Sequence, residues 1–136
     1  MAVRIPEAML DLFVRPVVVS LVTVMPDGQP QATPVWIDYD GTNLRINTAR
    51  GRQKDKNMQR DAKVTVLAID PENPYRWIEV RGRIIDESEA TGLEVINALS
   101  AKYRDEPDYY KRNEAQRGKE TRVTYLIEPT KITKSH

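Results

Sequence analysis

Alternation of apolar and polar residues predicts a protein built mostly of β-strands. Leu44 and Ile46 alternate with Arg45 and Asn47, so this strand should have one buried and one solvated face. The run 64–69 is apolar at most positions, which is typical of a strand that is largely buried on both faces. In chain order, strands are predicted over 17–25, 29–39, 44–47, 64–69, 75–85 and 121–127.

Turn and helix signals separate these strands. Pro26-Asp27-Gly28 and Asp40-Gly41 predict tight turns, and Gly82 predicts a bulge inside the fifth strand. Apolar residues at helical spacing predict one longer helix that begins at candidate caps in 86–88 and ends near residue 103. Shorter helices are predicted over 6–13 and 54–60, and a polar loop with a partial helix over 105–118.

Six consecutive antiparallel strands with one inserted helix predict a mostly β fold. A small closed or partly split barrel is expected, because closure removes the exposed edges of so much sheet. A chain of 136 residues suits one domain with a substantial core, so a single domain is expected over residues 1–136.

The protein as a whole is nearly neutral, but one segment of the chain is strongly basic. The net charge is +1, which does not favour nucleic acid or membrane as a partner. Residues 45–63 hold seven basic and two acidic side chains, a local charge of +5 that leaves −4 for the rest of the chain. This basic island indicates a discrete site for an anion.

Several kinds of reactive centre are absent from the sequence. The chain has no cysteine, which excludes disulfides, thiolate metal sites and cysteine nucleophiles. Its one histidine is His136, so no histidine triad or metal site is expected and no catalytic residue is assigned. An enzyme of this composition would borrow its chemistry from a cofactor. Without a signal peptide or a membrane-spanning run, a soluble cytoplasmic protein is expected.

The stretch 48–57 carries the strongest candidate chemistry. Arg50, Arg52 and Lys54 occupy alternate positions, so an extended backbone would project all three to one side. The helix predicted to follow would aim its unpaired N–H groups in the same direction. Together these features predict a phosphate site.

These features, taken in order, resemble a known family. The set comprises Pro26-Asp27-Gly28, Pro34-Val35-Trp36, Asp40-Gly41, residues 48–57, Arg60-Asp61, residues 64–69 and Val80-Arg81-Gly82. It resembles the split β-barrel flavin-binding superfamily typified by pyridoxamine 5'-phosphate oxidase, over nearly the whole chain. Within that superfamily, the spacing of 51–54 and 57–61 is most similar to the branch that binds the deazaflavin coenzyme F420.

The resemblance implies a set of cofactor-binding residues. It places phosphate on Arg52 and Lys54, with supporting contacts from Arg50, Lys56 and Asn57. It places the tricyclic ring along Thr33, Pro34, Val35 and Trp36, with its polar edge at Thr48 and Ala49. Lys56 or Arg60 would steer the anionic tail. In a homodimer with shared sites, Trp77 would reach in from the partner chain.

The implied function is hydride transfer from reduced F420 to a small electrophilic or unsaturated organic substrate. FMN in the same groove is one alternative, since the loop does not distinguish the two rings. A second is a non-enzymatic cofactor carrier or a single-strand nucleic-acid binder that stacks bases on Trp36, Tyr39 and Trp77. Residues 130–136 lack the arginine and histidine pattern of the oxidase, and the chain lacks an internal histidine for haem.

Overall fold

The computed structural model describes residues 2–136, which form a curled sheet with helices packed at its rim. The strands are β1 (Val19–Val24), β2 (Pro30–Val35), β3 (Asp38–Tyr39), β4 (Leu44–Ala49), β5 (Lys63–Ile69), β6 (Trp77–Ser88) and β7 (Arg122–Lys134). The α-helices are α1 (Asp11–Val14), α2 (Gln53–Arg60) and α3 (Gly92–Arg104). Short 3₁₀ helices cover Glu7–Met9, Tyr109–Arg112 and Glu114–Gln116. The predicted mostly β fold is confirmed.

The sheet closes into a split barrel through a very short connection. Its strand order is β2-β1-β5-β6-β7-β4-β3, with every neighbouring pair antiparallel, so β2 and β3 form the two edges. Only residues 36 and 37 separate these strands in the chain. Three steps along a chain span at most about 11 Å, so the two edges must lie close together.

The prediction of six strands is wrong, because the expected strand 29–39 breaks into β2 and β3. The break occurs where backbone groups of Ile37 bond to side chains of α3 instead of to a strand. The Ile37 N–H donates to the Tyr103 hydroxyl at 3.1 Å, and its carbonyl accepts from the Lys102 ammonium at 2.6 Å. These contacts join residues more than 60 positions apart, so local sequence could not predict them.

Other element boundaries also differ from the predictions. The expected opening helix 6–13 is a 3₁₀ turn followed by α1. The candidate helix caps at 86–88 lie in β6, and α3 begins only at Gly92. The last strand runs on to Lys134, through Pro129. The register of β6 with β7 shifts at Gly82, where a bulge was predicted, but the extra residue is Thr130 of β7, next to Pro129, which cannot donate to the ladder.

The core fills the inside of the curled sheet. Its largest fully buried side chains are Tyr125, Phe13, Leu12, Leu21, Ile37, Leu44, Ile46, Ile78 and Ile127. Helix α3 approaches this sheet very closely at its first residue. A Cβ atom built on Gly92 would lie 2.0 Å from the Arg122 carbonyl oxygen, so only glycine permits the contact.

A buried carboxylate fixes the loop between β4 and α2. Asp55, in the first turn of α2, accepts from the Tyr125 hydroxyl at 2.5 Å, from the Arg50 guanidinium at 2.9 Å and from the Gly51 N–H at 3.0 Å. Arg50 also donates to Glu87 and Glu89 of the β6 end. Burial, together with the bond to Asp55, raises the pKa of Tyr125 far above its usual range. The loop is therefore held from three sides.

Replacing Asp55 with Ala should lower the free energy of unfolding by about 3 kcal/mol, because Arg50 and the Tyr125 hydroxyl lose a buried partner. Tyr125→Phe removes the hydroxyl that donates to Asp55 and accepts from Arg50, and should cost about 2 kcal/mol. Asp86→Ala, which removes an exposed carboxylate, serves as the control and should stay within about 0.5 kcal/mol. Urea denaturation measures all three. Equal midpoints for Asp55→Ala and Asp86→Ala would contradict the anchoring role.

Candidate functional site

A cleft of about 290 Å³ opens between the end of β2, the loop before α2, and α3. It is lined by Val18, Pro34, Val35, Trp36, Asn47, Arg52, Lys54, Ile96, Leu99, Tyr109 and Arg122. The lining combines three cations with an apolar and aromatic surface. Such a combination suits a ligand that has both an anionic group and a flat ring.

The three cations, Arg52, Lys54 and Arg122, form what we call the cation cluster. Burial and the positive charges of Arg52 and Arg122 lower the pKa of Lys54. The carboxylate of Glu120 partly offsets this charge, at 3.2 Å from Arg122 and 3.6 Å from Arg52. The cluster still carries a net positive charge, so an anion bound in the cleft would relieve mutual repulsion among its members.

Arg122 is the most rigid member of the cation cluster. Its side chain is 5% exposed, and its Nε atom donates to the Asn47 amide oxygen at 2.8 Å. Asn47 is fixed in turn, because its own amide donates to the Gly92 carbonyl at 2.8 Å. Strands β4 and β7 therefore present a buried, oriented guanidinium to the cleft. The sequence analysis missed Arg122, because no local pattern relates it to Asn47, 75 positions away.

Stacked side chains form the aromatic wall of the cleft. The rings of Trp36 and Tyr103 are nearly parallel, with centroids 5.3 Å apart, and Tyr109 meets Trp36 edge-on at 6.1 Å. The Arg104 guanidinium lies 5.0 Å from the Trp36 centroid and 5.1 Å from that of Tyr109. Cation–π and stacking contacts of this kind hold the wall in one arrangement. Tyr109 belongs to the segment predicted as a polar loop and was not expected in the site.

The structure brings together five of the residues that the resemblance implied: Pro34, Val35, Trp36, Arg52 and Lys54. Thr33 and Thr48 each adjoin a lining residue in sequence, and Ala49 follows Thr48, but none of the three lines the cleft. The hydroxyl oxygens of Thr33 and Thr48 are buried without a hydrogen-bond partner in the protein. Ala49 is buried in the core.

The other four predicted residues of the 48–60 region lie outside the cleft. Arg50 is held in the Asp55 ion cluster, and buried Asn57 donates to the Thr23 hydroxyl at 3.0 Å, which ties α2 to β1. Lys56 is exposed, and exposed Arg60 donates to the Val24 carbonyl. Arg50 and Asn57 thus position the loop and helix that carry Arg52 and Lys54. Their predicted contacts with a cofactor stay predictions.

Trp77 lies at the start of β6, outside this cleft. Its neighbour Ile78 is fully buried, so alternation along the strand places Trp77 on the outer face of the sheet. Its backbone N–H donates to the Ser135 hydroxyl at 3.0 Å. A role in the site of a second copy stays a prediction.

Chemical groups capable of proton transfer are few in the cleft. Among the lining residues that the structure describes, Tyr109 alone carries a hydroxyl, and none is a carboxylate or a histidine.

Within residues 2–136, no three or more acidic or histidine side chains are grouped so as to hold a metal ion. In the same range, no helix has the length and apolar character needed to cross a membrane.

Comparison with known proteins identifies the family. The family model described as pyridoxamine 5'-phosphate oxidase matches residues 5–136. A solved structure named F420 reductase is 34% identical, with a TM-score of 0.80 over 95% of this chain and 98% of that one. No curated protein matches this sequence significantly.

More distant solved structures share the fold alone. A conserved hypothetical protein from Mycobacterium tuberculosis is 22% identical, with a TM-score of 0.70 over 98% of this chain and 86% of that one. A putative pyridoxamine 5'-phosphate oxidase from Listeria innocua is 21% identical, with a TM-score of 0.62 over 86% of each chain. Fold, family model and cleft agree with the resemblance inferred from the sequence. The chain belongs to the pyridoxamine 5'-phosphate oxidase family of split-barrel oxidoreductases.

Proposed function

We propose that this protein binds coenzyme F420 and transfers hydride from the reduced deazaflavin to a small electrophilic or unsaturated organic substrate. One observation carries the proposal. The cleft sets a cation cluster beside a flat aromatic wall, in a chain that is similar to an F420 reductase over nearly its whole length. FMN is the alternative cofactor, since the cation cluster would bind the phosphate of either.

The cation cluster supplies the groups that the cofactor phosphate needs. Arg52 and Arg122 offer planar guanidinium donors, and Lys54 adds a mobile point charge. Arg122 is preoriented by Asn47, whereas the half-exposed side chain of Arg52 is free to adjust. A phosphate at this position would replace the repulsion among three cations with charge-assisted hydrogen bonds.

The end of β2 and the aromatic wall would hold the ring. Pro34, Val35 and Trp36 give an apolar surface, and Trp36 is backed by Tyr103 and so cannot turn away. The bound cofactor would supply the hydride, while the protein positions it and excludes water. Because no carboxylate or histidine among the described residues lines the cleft, and the Lys54 ammonium is assigned to the phosphate, we assign the accompanying proton to water.

Binding can be tested by fluorescence titration with F420 and with FMN, side by side at one salt concentration. We expect F420 to bind more tightly, and Arg52→Ala combined with Lys54→Ala to weaken its binding by about 3 kcal/mol, because two charge-assisted contacts are lost. Bound F420 should then support reduction of an unsaturated organic compound in a reductase screen.

The matched control for that double variant is Arg4→Ala combined with Lys111→Ala. It removes the same two residue types and the same charge, from exposed positions outside the cleft. Its affinity for F420 should equal that of the wild type. If both double variants bind F420 equally well, the cation cluster is not the phosphate site. Tighter binding of FMN than of F420 would favour the alternative cofactor.

A second prediction concerns the cost of keeping Lys54 in the cation cluster. Its lowered pKa means that the charged form is less favourable in the folded than in the unfolded protein, so this charge destabilises the fold below the ordinary lysine pKa. Lys54→Met should therefore raise the free energy of unfolding of the free protein by about 1 kcal/mol while weakening F420 binding.

Lys56→Met is the control for Lys54→Met, because Lys56 is an exposed lysine on the same helix. It should leave the unfolding midpoint nearly unchanged. The stability difference between Lys54→Met and the wild type should shrink as the pH rises from the lowered pKa of Lys54 to the ordinary lysine pKa, since the folded wild type loses the unfavourable charge over that range. Destabilisation by Lys54→Met at neutral pH would contradict this account.

We also propose a homodimer in which each cleft is completed by the partner, as the resemblance implies. The cleft volume is at the lower end of the range for ligand pockets, roughly 300–1,000 Å³, so one chain would hold only part of the cofactor. Apolar residues on the outer sheet face support this proposal. They include Ile69, 44% exposed, which lies beside Trp77 in the register of β5 and β6.

Light scattering should give a mass of about 31 kDa, twice the 15.6 kDa of one chain. Ile69→Asp should shift the protein towards the monomer, because a charge would be buried in an apolar interface. Arg4→Asp, at an exposed polar position, should leave the mass unchanged. A wild-type mass of one chain at micromolar concentration would overturn the dimer.

A further inference from the structure

Glu120 is the only acidic side chain that pairs with the cation cluster among the residues that the structure describes. One carboxylate oxygen lies 3.2 Å from Arg122, and the other lies 3.6 Å from Arg52. It does not line the cleft itself, yet it touches two of the three cations that do. A negative charge beside an anion site opposes the ligand that the site attracts, so its presence needs an explanation.

The structure holds this carboxylate in place. The hydroxyl of buried Tyr110 donates to Glu120 at 2.7 Å, and the Glu120 side chain is only 16% exposed. Burial alone would raise the pKa of Glu120, but the Tyr110 hydrogen bond and the charges of Arg122 and Arg52 lower it overall. Glu120 therefore stays ionised at neutral pH and in mild acid.

We propose that Glu120 is a charge filter at the phosphate site, which lowers the affinity for a phosphomonoester more than the affinity for a phosphodiester. The inference rests on the proposed function, because it assumes that the cofactor phosphate binds at the cation cluster. It adds to that function the residue that distinguishes FMN, a monoester, from F420, whose phosphate is a diester.

The filter follows from the charges of the two esters. A phosphomonoester carries close to two negative charges at neutral pH, since its second pKa is about 6. A phosphodiester carries one at any pH above its strongly acidic range. Coulomb energy scales with the product of the charges, so a fixed carboxylate penalises the monoester about twice as much in free energy as the diester. Expressed as affinity ratios, the penalty for the monoester is the square of that for the diester.

The residues around Glu120 hold it in place, so its repulsion of a bound phosphate cannot be relieved by movement of the carboxylate. Arg122 is buried and already bonded to Asn47, so it cannot follow a ligand away from the carboxylate. Tyr110 prevents Glu120 from swinging into solvent. Arg52 is the mobile partner, and it alone is free to exchange Glu120 for phosphate.

The test compares two esters of one ring system, FMN and the cyclic phosphodiester of riboflavin, by flavin fluorescence. At pH 7.5, Glu120→Gln should tighten binding of the diester about fivefold and that of FMN about 25-fold. At pH 5, below the second pKa of the monoester, the gain for FMN should fall towards that of the diester. The dependence on pH separates a charge effect from a structural one, which would act on both esters alike.

Two further variants serve as controls. Glu120→Asp keeps the charge, and the ratio of the two affinities should stay close to that of the wild type. Glu94→Gln removes an exposed carboxylate outside this cleft and should change neither affinity. If Glu120→Gln proves unstable in urea denaturation, Glu120→Ala replaces it in the same assay.

The outcomes distinguish the filter from the site itself. Equal gains for both esters at pH 7.5, or a gain for FMN that is the same at pH 5, would overturn the filter and leave the anion site standing. If Arg52→Ala with Lys54→Ala leaves the binding of both esters unchanged, the anion site fails and the filter fails with it. If neither ester binds any variant, the filter fails, while the F420 titration decides the anion site.

Discussion

The buried carboxylate of Asp55 is the constraint on which the rest of the site depends. It is 2% exposed and accepts hydrogen bonds from the Tyr125 hydroxyl on β7 and from the Arg50 guanidinium and the Gly51 N–H in the loop before α2. A buried charge is stable only when it is fully paired, so these partners have little freedom to move. The loop that follows β4 is thereby fixed against β7, and Arg52 and Lys54 emerge at the cleft.

The charges of the cation cluster, unlike that of Asp55, are not fully paired within the protein. Its three positive charges are only partly balanced by Glu120, and the pKa of Lys54 is lowered by burial and by its cationic neighbours. A protein selected for stability alone would avoid this concentration of like charge. Such a local loss of stability is typical of binding sites, because the bound ligand supplies the charge that the site lacks. The same imbalance makes Glu120 important, since one carboxylate sets how much negative charge the site accepts.

Much of the fold was predictable because it depends on local patterns. Alternation, β-branched runs and turn residues located all the sheet segments, although two of the seven strands were predicted as one, and Gly82 marked a shift in register. The errors have physical causes that act over long distances. The strand 29–39 breaks because α3 takes the hydrogen bonds of Ile37, and β7 continues through Pro129 because its pairing with β6 shifts register there and accommodates a residue without an N–H.

The sequence by itself determined the fold class, the family and the cationic loop. Strand alternation, turn residues and the order of motifs depend on residues that lie close together in the chain, so they can be recognised without the structure. It also supplied five of the residues that line the cleft. Only the tertiary structure decided which cations converge. Arg122, Glu120 and Tyr109 join the site through the pairing of β7 with β4 and the packing of the segment after α3. Likewise, Arg50 is drawn into the ion cluster of Asp55, since a buried carboxylate takes the nearest guanidinium whatever its position in a motif.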